Sequence, residues 1–166
     1  FWHDPHRRAA RLDAARRGGR AHEPVLAPDD KEAIAARIED PVLWGEHYLR
    51  NRDGSQRRYW SHQVEDLRCP ERNIIHLDGR ATGKTVALST DVIHFAFTTR
   101  GGQGLIAAPH QGHLDTIIDE IEFQLDASEA LSASVAVTAQ GRPKIVRKPY
   151  FRVEFSNRTV LHFRPA

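Results

Sequence analysis

The chain has 166 residues, of which 40% are apolar and 28% charged, with a formal net charge of +2. That is enough for one hydrophobic core. The single cysteine, Cys69, excludes an intramolecular disulfide and fits a reducing compartment, and no apolar run approaches membrane-spanning length or reads as a signal peptide.

The charge is uneven. Residues 1–20 carry six arginines (7, 8, 11, 16, 17, 20) against Asp4 and Asp13, a net of +4, so the remainder nets −2. Such an arm reads either as a phosphate-contacting segment or as a solvated terminal tail. Gly18-Gly19, Pro24 and Pro28 mark a linker, so residues 1–30 form a basic arm and linker distinct from the rest of the chain. Asp29 or Asp30 would cap a helix through Ile38, ended by Pro41. Residues 42–49 predict a second short helix with Trp44 and Tyr48 at i and i+4. Asn51-Arg52-Asp53-Gly54-Ser55 predicts a turn. Residues 31–68 thus read as a helical lead-in and 69–166 as the core.

The informative stretch is 72–90, RNIIHLDGRATGKTVALST. Ile74-Ile75-His76-Leu77 predicts a buried strand, Asp78 to Thr82 a tight turn, and Gly83-Lys84-Thr85 the opening of a helix that runs to about Phe97. Val86, Ile93, Ala96 and Phe97 recur there at helical spacing. Strand, loop, Gly-Lys-Thr, helix is the P-loop order. The chemistry asks for these residue types. Backbone N–H groups and the positive end of the helix dipole face phosphate oxygens, and glycine allows close approach. Lys84 would reach the β- and γ-phosphates, and Thr85 would offer its hydroxyl to Mg²⁺. The full pattern has glycine where Asp78 stands, and Gly79 comes one place late.

Arg100-Gly101-Gly102 would end this helix. Gly104-Leu105-Ile106-Ala107-Ala108-Pro109 predicts a second buried strand. Leu114, Ile117, Ile118, Ile121 and Leu125 then predict an amphipathic helix. Strand-helix-strand-helix implies an α/β fold with a mainly parallel sheet between helical layers. Val135 to Thr138 predicts a strand. Residues 150–155 and 159–163 alternate apolar and polar around Ser156-Asn157-Arg158, a predicted hairpin. Residues 142–152 carry Arg142, Lys144, Arg147, Lys148 and Arg152 without an acid. They face DNA or a neighbouring subunit, or form a solvated edge.

From about Asp40 to Ala166 the chain resembles the ATPase domain of viral DNA-packaging motors, the terminase large subunit. The resemblance rests on Asp40-Pro41 with Trp44 and Tyr48, on Tyr59-Trp60-x-x-Gln63-x-x-x-Leu67, and on Arg80-Ala81-Thr82-Gly83-Lys84-Thr85. It extends to Ile106-Ala107-Ala108-Pro109-His110-Gln111 and the hairpin around Asn157. It implies a P-loop ATPase of the ASCE, RecA-like class, a three-layer sandwich incomplete at its C-terminal end. Gln63 would read adenine, with Tyr59 or Trp60 beside it for stacking. Gly79, Arg80, Ala81, Thr82, Gly83, Lys84 and Thr85 would hold ATP, and Arg80 would act in cis on the γ-phosphate. The family further implies Mg²⁺ as cofactor, double-stranded DNA as substrate track, and a portal protein and small terminase subunit as partners. It also implies a homo-oligomeric ring, no membrane, and the host cytoplasm as location. Another P-loop helicase or translocase, or a non-catalytic interaction fragment, are the alternatives.

Such ATPases need an apolar strand ending in Asp-Glu, for Mg²⁺ and for water activation. Asp119-Glu120 is the one Asp-Glu in the chain, and the helical period around it places it on a solvated helix face. The motif is therefore expected beyond Ala166, as is a nuclease domain. His110 and His113 lack further ligands for a metal set, and Cys69 lacks a base.

Overall fold

The computed structural model describes residues 28–71, 73–75 and 82–166. The arginine-rich arm lies outside them, as do His76 and Leu77 of the expected first strand and Asp78, Gly79, Arg80 and Ala81 of the expected loop.

Two helices open the described chain, α1 (Pro28–Glu39) and α2 (Pro41–Tyr48). Pro41 was expected to end α1, but it also begins α2. Its fixed φ and missing N–H suit the first helical position. The carboxylate of Asp40 accepts from the Val42 and Leu43 N–H groups at 2.8 and 3.1 Å, capping α2. Partial burial alone would raise its pKa, but the Leu43 N–H, the Arg68 guanidinium and the Val42 N–H outweigh this and hold it below the usual value. Trp44 is fully buried, with its ring 5.6 Å from Tyr48 and 5.5 Å from Phe97. The expected turn at 51–55 closes with Asn51 N–H donating to Ser55 O and Gly54 N–H donating to Asn51 O. Helix α3 (Ser61–Leu67) comes next.

Ile74 and Ile75 depart from the expectation. They lie in no strand and are 45% and 88% exposed. Two consecutive isoleucines face both ways in an extended chain, so they are buried only where a sheet flanks them on both faces. The described residues provide none there.

Helix α4 (Lys84–Thr98) runs as the periodicity predicts. Ile93 and Ala96 are fully buried, and so are Ser89 and Thr90, whose hydroxyls donate to Val86 O at 3.1 and 2.8 Å. Strand β1 (Gln103–Ala108) then leads to α5 (Gln111–Ala127), which buries Leu114, Ile118, Ile121 and Leu125. The short helix α6 (Glu129–Ser134) adds Leu131 to the core. Of the strand expected at 135–138, only single bridges from Val135 to Phe155 and from Val137 to Pro143 form. The chain closes with β2 (Ile145–Val146), β3 (Arg152–Glu154) and β4 (Val160–Pro165).

The sheet order is β1-β4-β3-β2. Only β1 and β4 run parallel, in register from Gln103↔Val160 to Ala108↔Pro165. The β3–β4 and β2–β3 pairs are antiparallel, so the sheet is mixed and not mainly parallel as expected. The reason is local. The hairpin at Ser156-Asn157-Arg158 returns the chain directly, and a direct return produces an antiparallel pair. On one face, Ile106, Leu161, Phe163 and Val153 join the core with α2, α4 and α5. The other face is open at Leu105 (68% exposed), Ala107 and Arg164, so the described residues do not supply the third layer.

The hairpin also clamps α4. Asn157 Nδ2 donates to Ala96 O and Phe97 O at 2.8 and 3.1 Å, satisfying carbonyls that a helix end leaves unpaired. The Thr159 hydroxyl donates to Thr99 O and accepts from Gly102 N–H. The end of the Gly-Lys-Thr helix is thus tied to the sheet.

Candidate functional site

Gly83 is the residue before α4 and sits in the left-handed region at φ 77°, ψ 21°. A β-carbon there would come within 2.4 Å of Gln63 Nε2. Glycine is therefore favoured twice: the backbone angle strains any other residue, and a β-carbon would displace the Gln63 amide. Gly83 O accepts from Val86 N–H and Ala87 N–H, so the helix begins directly at Lys84. Lys84 is exposed and Thr85 half-buried on the first turn. That turn also presents the positive end of the helix dipole.

Helix α3 is packed against this turn. Gln63 is its third residue and only 4% exposed. Its Oε1 accepts from Trp60 N–H at 3.0 Å, which is half of a capping box. Its Nε2 donates to Gly83 O at 3.1 Å. His62 Nε2 lies 3.0 Å from Thr82 O, so that nitrogen carries the proton. The resemblance gave Gln63 to adenine. The residue is buried, and each amide atom makes a hydrogen bond within the protein.

The two candidate stacking aromatics separate cleanly. Tyr59 donates its hydroxyl to Thr90 Oγ1 at 2.9 Å, because the Thr90 proton is already committed to Val86 O. Burial pushes the Tyr59 phenol up to about 12. Trp60 is 59% exposed, and one ring atom, Cζ3, lies 4.0 Å from where a Gly83 β-carbon would be. Trp60 therefore has the open aromatic face beside the Gly-Lys-Thr turn.

Asp119 and Glu120 lie within α5 and not at a strand end. Asp119 is exposed, as expected. Glu120 is not on a solvated face: its side chain is 13% exposed. Its Oε1 accepts from Arg57 Nη2 at 2.5 Å and from Gln124 Nε2 at 2.8 Å, and its Oε2 pairs with Arg52 at 3.3 Å. Gln124 also exchanges hydrogen bonds with the backbone N–H and C=O of Arg50. Arg57, 5% exposed, and this acid together join the lead-in to α5. Sequence inspection missed this network, because neither the Arg57 nor the Glu120 position signals burial.

Among the described residues no group of three or more His, Cys, Asp or Glu could hold a metal ion, and the His110 and His113 rings stand 5.8 Å apart. Within the basic stretch, Lys144 and Arg152 pair with Glu154, and Arg147 pairs with Glu122. Three of its five cations are thus answered by acids of the same chain, which favours the edge reading over a bare cationic surface.

Backbone comparison decides the fold. The structure matches the crystal structure of the HK97 bacteriophage large terminase with a TM-score of 0.63 at 13% sequence identity, over 78% of this chain. The fold is terminase-like. The match covers 27% of the terminase chain, so this chain spans about a quarter of that protein. No family model matches the sequence, and no curated protein matches it. The terminase-like fold fits an α/β layering of sheet and helices with the mixed sheet described above. No helix among the described residues is long and apolar enough to cross a membrane.

Proposed function

We propose that this chain is the ATP-binding front part of a DNA-packaging motor of the terminase large-subunit type, a P-loop ATPase of the ASCE class. The observation that carries the reading is the Gly83 turn. A left-handed glycine opens a fifteen-residue helix with Lys84 and Thr85 on its first turn, in a fold shared with a phage large terminase. A triphosphate there meets backbone N–H groups, the helix dipole and a lysine charge. The residues present fit the ligand. Lys84 lies exposed on the first helical turn, and the Thr85 hydroxyl beside it would serve as a Mg²⁺ donor. Trp60 would support the base by stacking, worth about 0.5–1.5 kcal/mol for an aromatic pair. Tyr59 is occupied with Thr90.

By the same resemblance Gly79, Arg80, Ala81 and Thr82 complete the phosphate loop, and Arg80 acts on the γ-phosphate. Double-stranded DNA is the translocated substrate. A portal protein and a small terminase subunit are partners, and copies of the whole protein assemble in a ring in the host cytoplasm. The bound nucleotide with Mg²⁺ supplies the hydrolysable phosphoanhydride; the chain binds it and orients it.

Calorimetry tests the site. Lys84→Ala removes a charge-assisted contact and is expected to weaken MgATP binding by about 1.5–3 kcal/mol. Equal affinity for wild type and variant refutes it.

A further inference from the structure

Two neighbouring side chains of α3 hold two neighbouring carbonyls of the Gly-Lys-Thr turn. His62 Nε2 is 3.0 Å from Thr82 O and Gln63 Nε2 is 3.1 Å from Gly83 O. Each carbonyl belongs to a peptide plane that also carries the next residue's N–H. In a trans peptide the C=O and N–H point in opposite directions. Holding the Thr82 carbonyl toward α3 thus aims the Gly83 N–H away from α3, and Gln63, together with the Val86 and Ala87 N–H groups of α4, holds the Gly83 carbonyl and so sets the Lys84 N–H. Successive N–H groups at a left-handed residue form a concave anion-binding nest.

We infer that His62 and Gln63 are positioning residues that set the direction of the Gly83 and Lys84 backbone N–H groups, and that Gln63 serves the polyphosphate and not the base. This inference rests on the nucleotide-binding reading above. Three observations support it. Gln63 is nearly inaccessible at 4% exposure. Its Oε1, the atom that would accept from the adenine amino group, already accepts from Trp60 N–H. Its Nε2 is close enough to the turn that a β-carbon at position 83 would displace it. Gln63 shape and charge both matter. A glutamate would keep the Trp60 bond but place an acceptor against the Gly83 carbonyl oxygen.

The test compares three probes by calorimetry on the 166-residue chain: MgATP, MgGTP and inorganic tripolyphosphate, which has no base. Gln63→Ala is expected to weaken all three by the same factor, about threefold to tenfold, the span of one hydrogen bond. Gln63→Glu is expected to be no better than Gln63→Ala. His62→Ala is expected to weaken all three in parallel, and His62→Gln, which can still donate to Thr82 O, to restore them. If Gln63→Ala does not fold, the His62 pair carries the test. A loss confined to ATP overturns the inference and makes Gln63 a base reader. So does a lowered melting temperature with unchanged tripolyphosphate affinity, since that is a structural role only. A wild type that binds none of the probes overturns the nucleotide-binding reading itself, whereas binding with a base-selective loss leaves that reading standing.

Discussion

Tyr59 shows how a residue chosen for one task is used for another. Its ring lies between the lead-in and α4: the hydroxyl donates to Thr90 Oγ1 and would collide with any β-carbon at Gly45. Tyr59→Phe removes one buried donor and leaves Thr90 with an unanswered lone pair. The expected cost is about 0.5–1.5 kcal/mol in chemical denaturation, with MgATP affinity unchanged. A clear loss of nucleotide affinity in that variant would return Tyr59 to the binding surface. The phenol titration gives a second readout. Because burial raises its pKa to about 12, the ionised form is disfavoured in the folded protein. Its contribution to stability is thus complete below the unfolded value near 10 and is lost as pH rises through the folded value. The resemblance put Tyr59 or Trp60 beside Gln63, but only packing could decide which ring is open.

At the scale of elements, the lead-in is held to the core by charge as well as by apolar contact. Glu120 answers the buried Arg57, and Gln124 grips the Arg50 backbone like the rung of a ladder. Removing one partner of a buried pair leaves the other uncompensated. Glu120→Ala is expected to cost about 3–5 kcal/mol, whereas an apolar pair such as Arg57→Met with Glu120→Leu should recover most of it. Urea unfolding of the three proteins checks this. A cost within about 1 kcal/mol for Glu120→Ala would mean that the pair behaves as an exposed one. The helices α4 and α5 were legible because long amphipathic segments repeat their apolar stripe over several turns. The strand at 135–138 was not. Its residues have strand propensity, but Val135 and Val137 meet Phe155 and Pro143 through one bridge each, so no ladder forms. The parallel sheet was over-read for a related reason. Helix-strand alternation announces parallel pairing, and the short hairpin after Phe155 overrides it at the far side of the sheet.

Across the whole molecule, the Gly-Lys-Thr turn and the single Asp-Glu pair belong to different structures. Glu120 is committed inside α5 to Arg57, Arg52 and Gln124. It cannot turn to a water at the Gly83 end without breaking a buried network. The 166-residue chain is therefore expected to hydrolyse ATP no faster than a Lys84→Ala control in a phosphate-release assay. Lys84-dependent hydrolysis that Glu120→Gln abolishes would overturn this. The general plan of the fold and the position of the turn were readable from Gly83-Lys84-Thr85 and the periodicity on either side. The tie between α3 and that turn was not, because it depends on where two helices meet and on no spacing within either.

That tie bears on how the protein can change over evolutionary time. Position 83 rejects a side chain on two independent grounds, its positive φ and the nearness of Gln63. Losing the glutamine would remove the second obstacle and leave the first. Losing the glycine alone would meet both. No single substitution at position 83 is therefore neutral, and no change at position 63 makes one so.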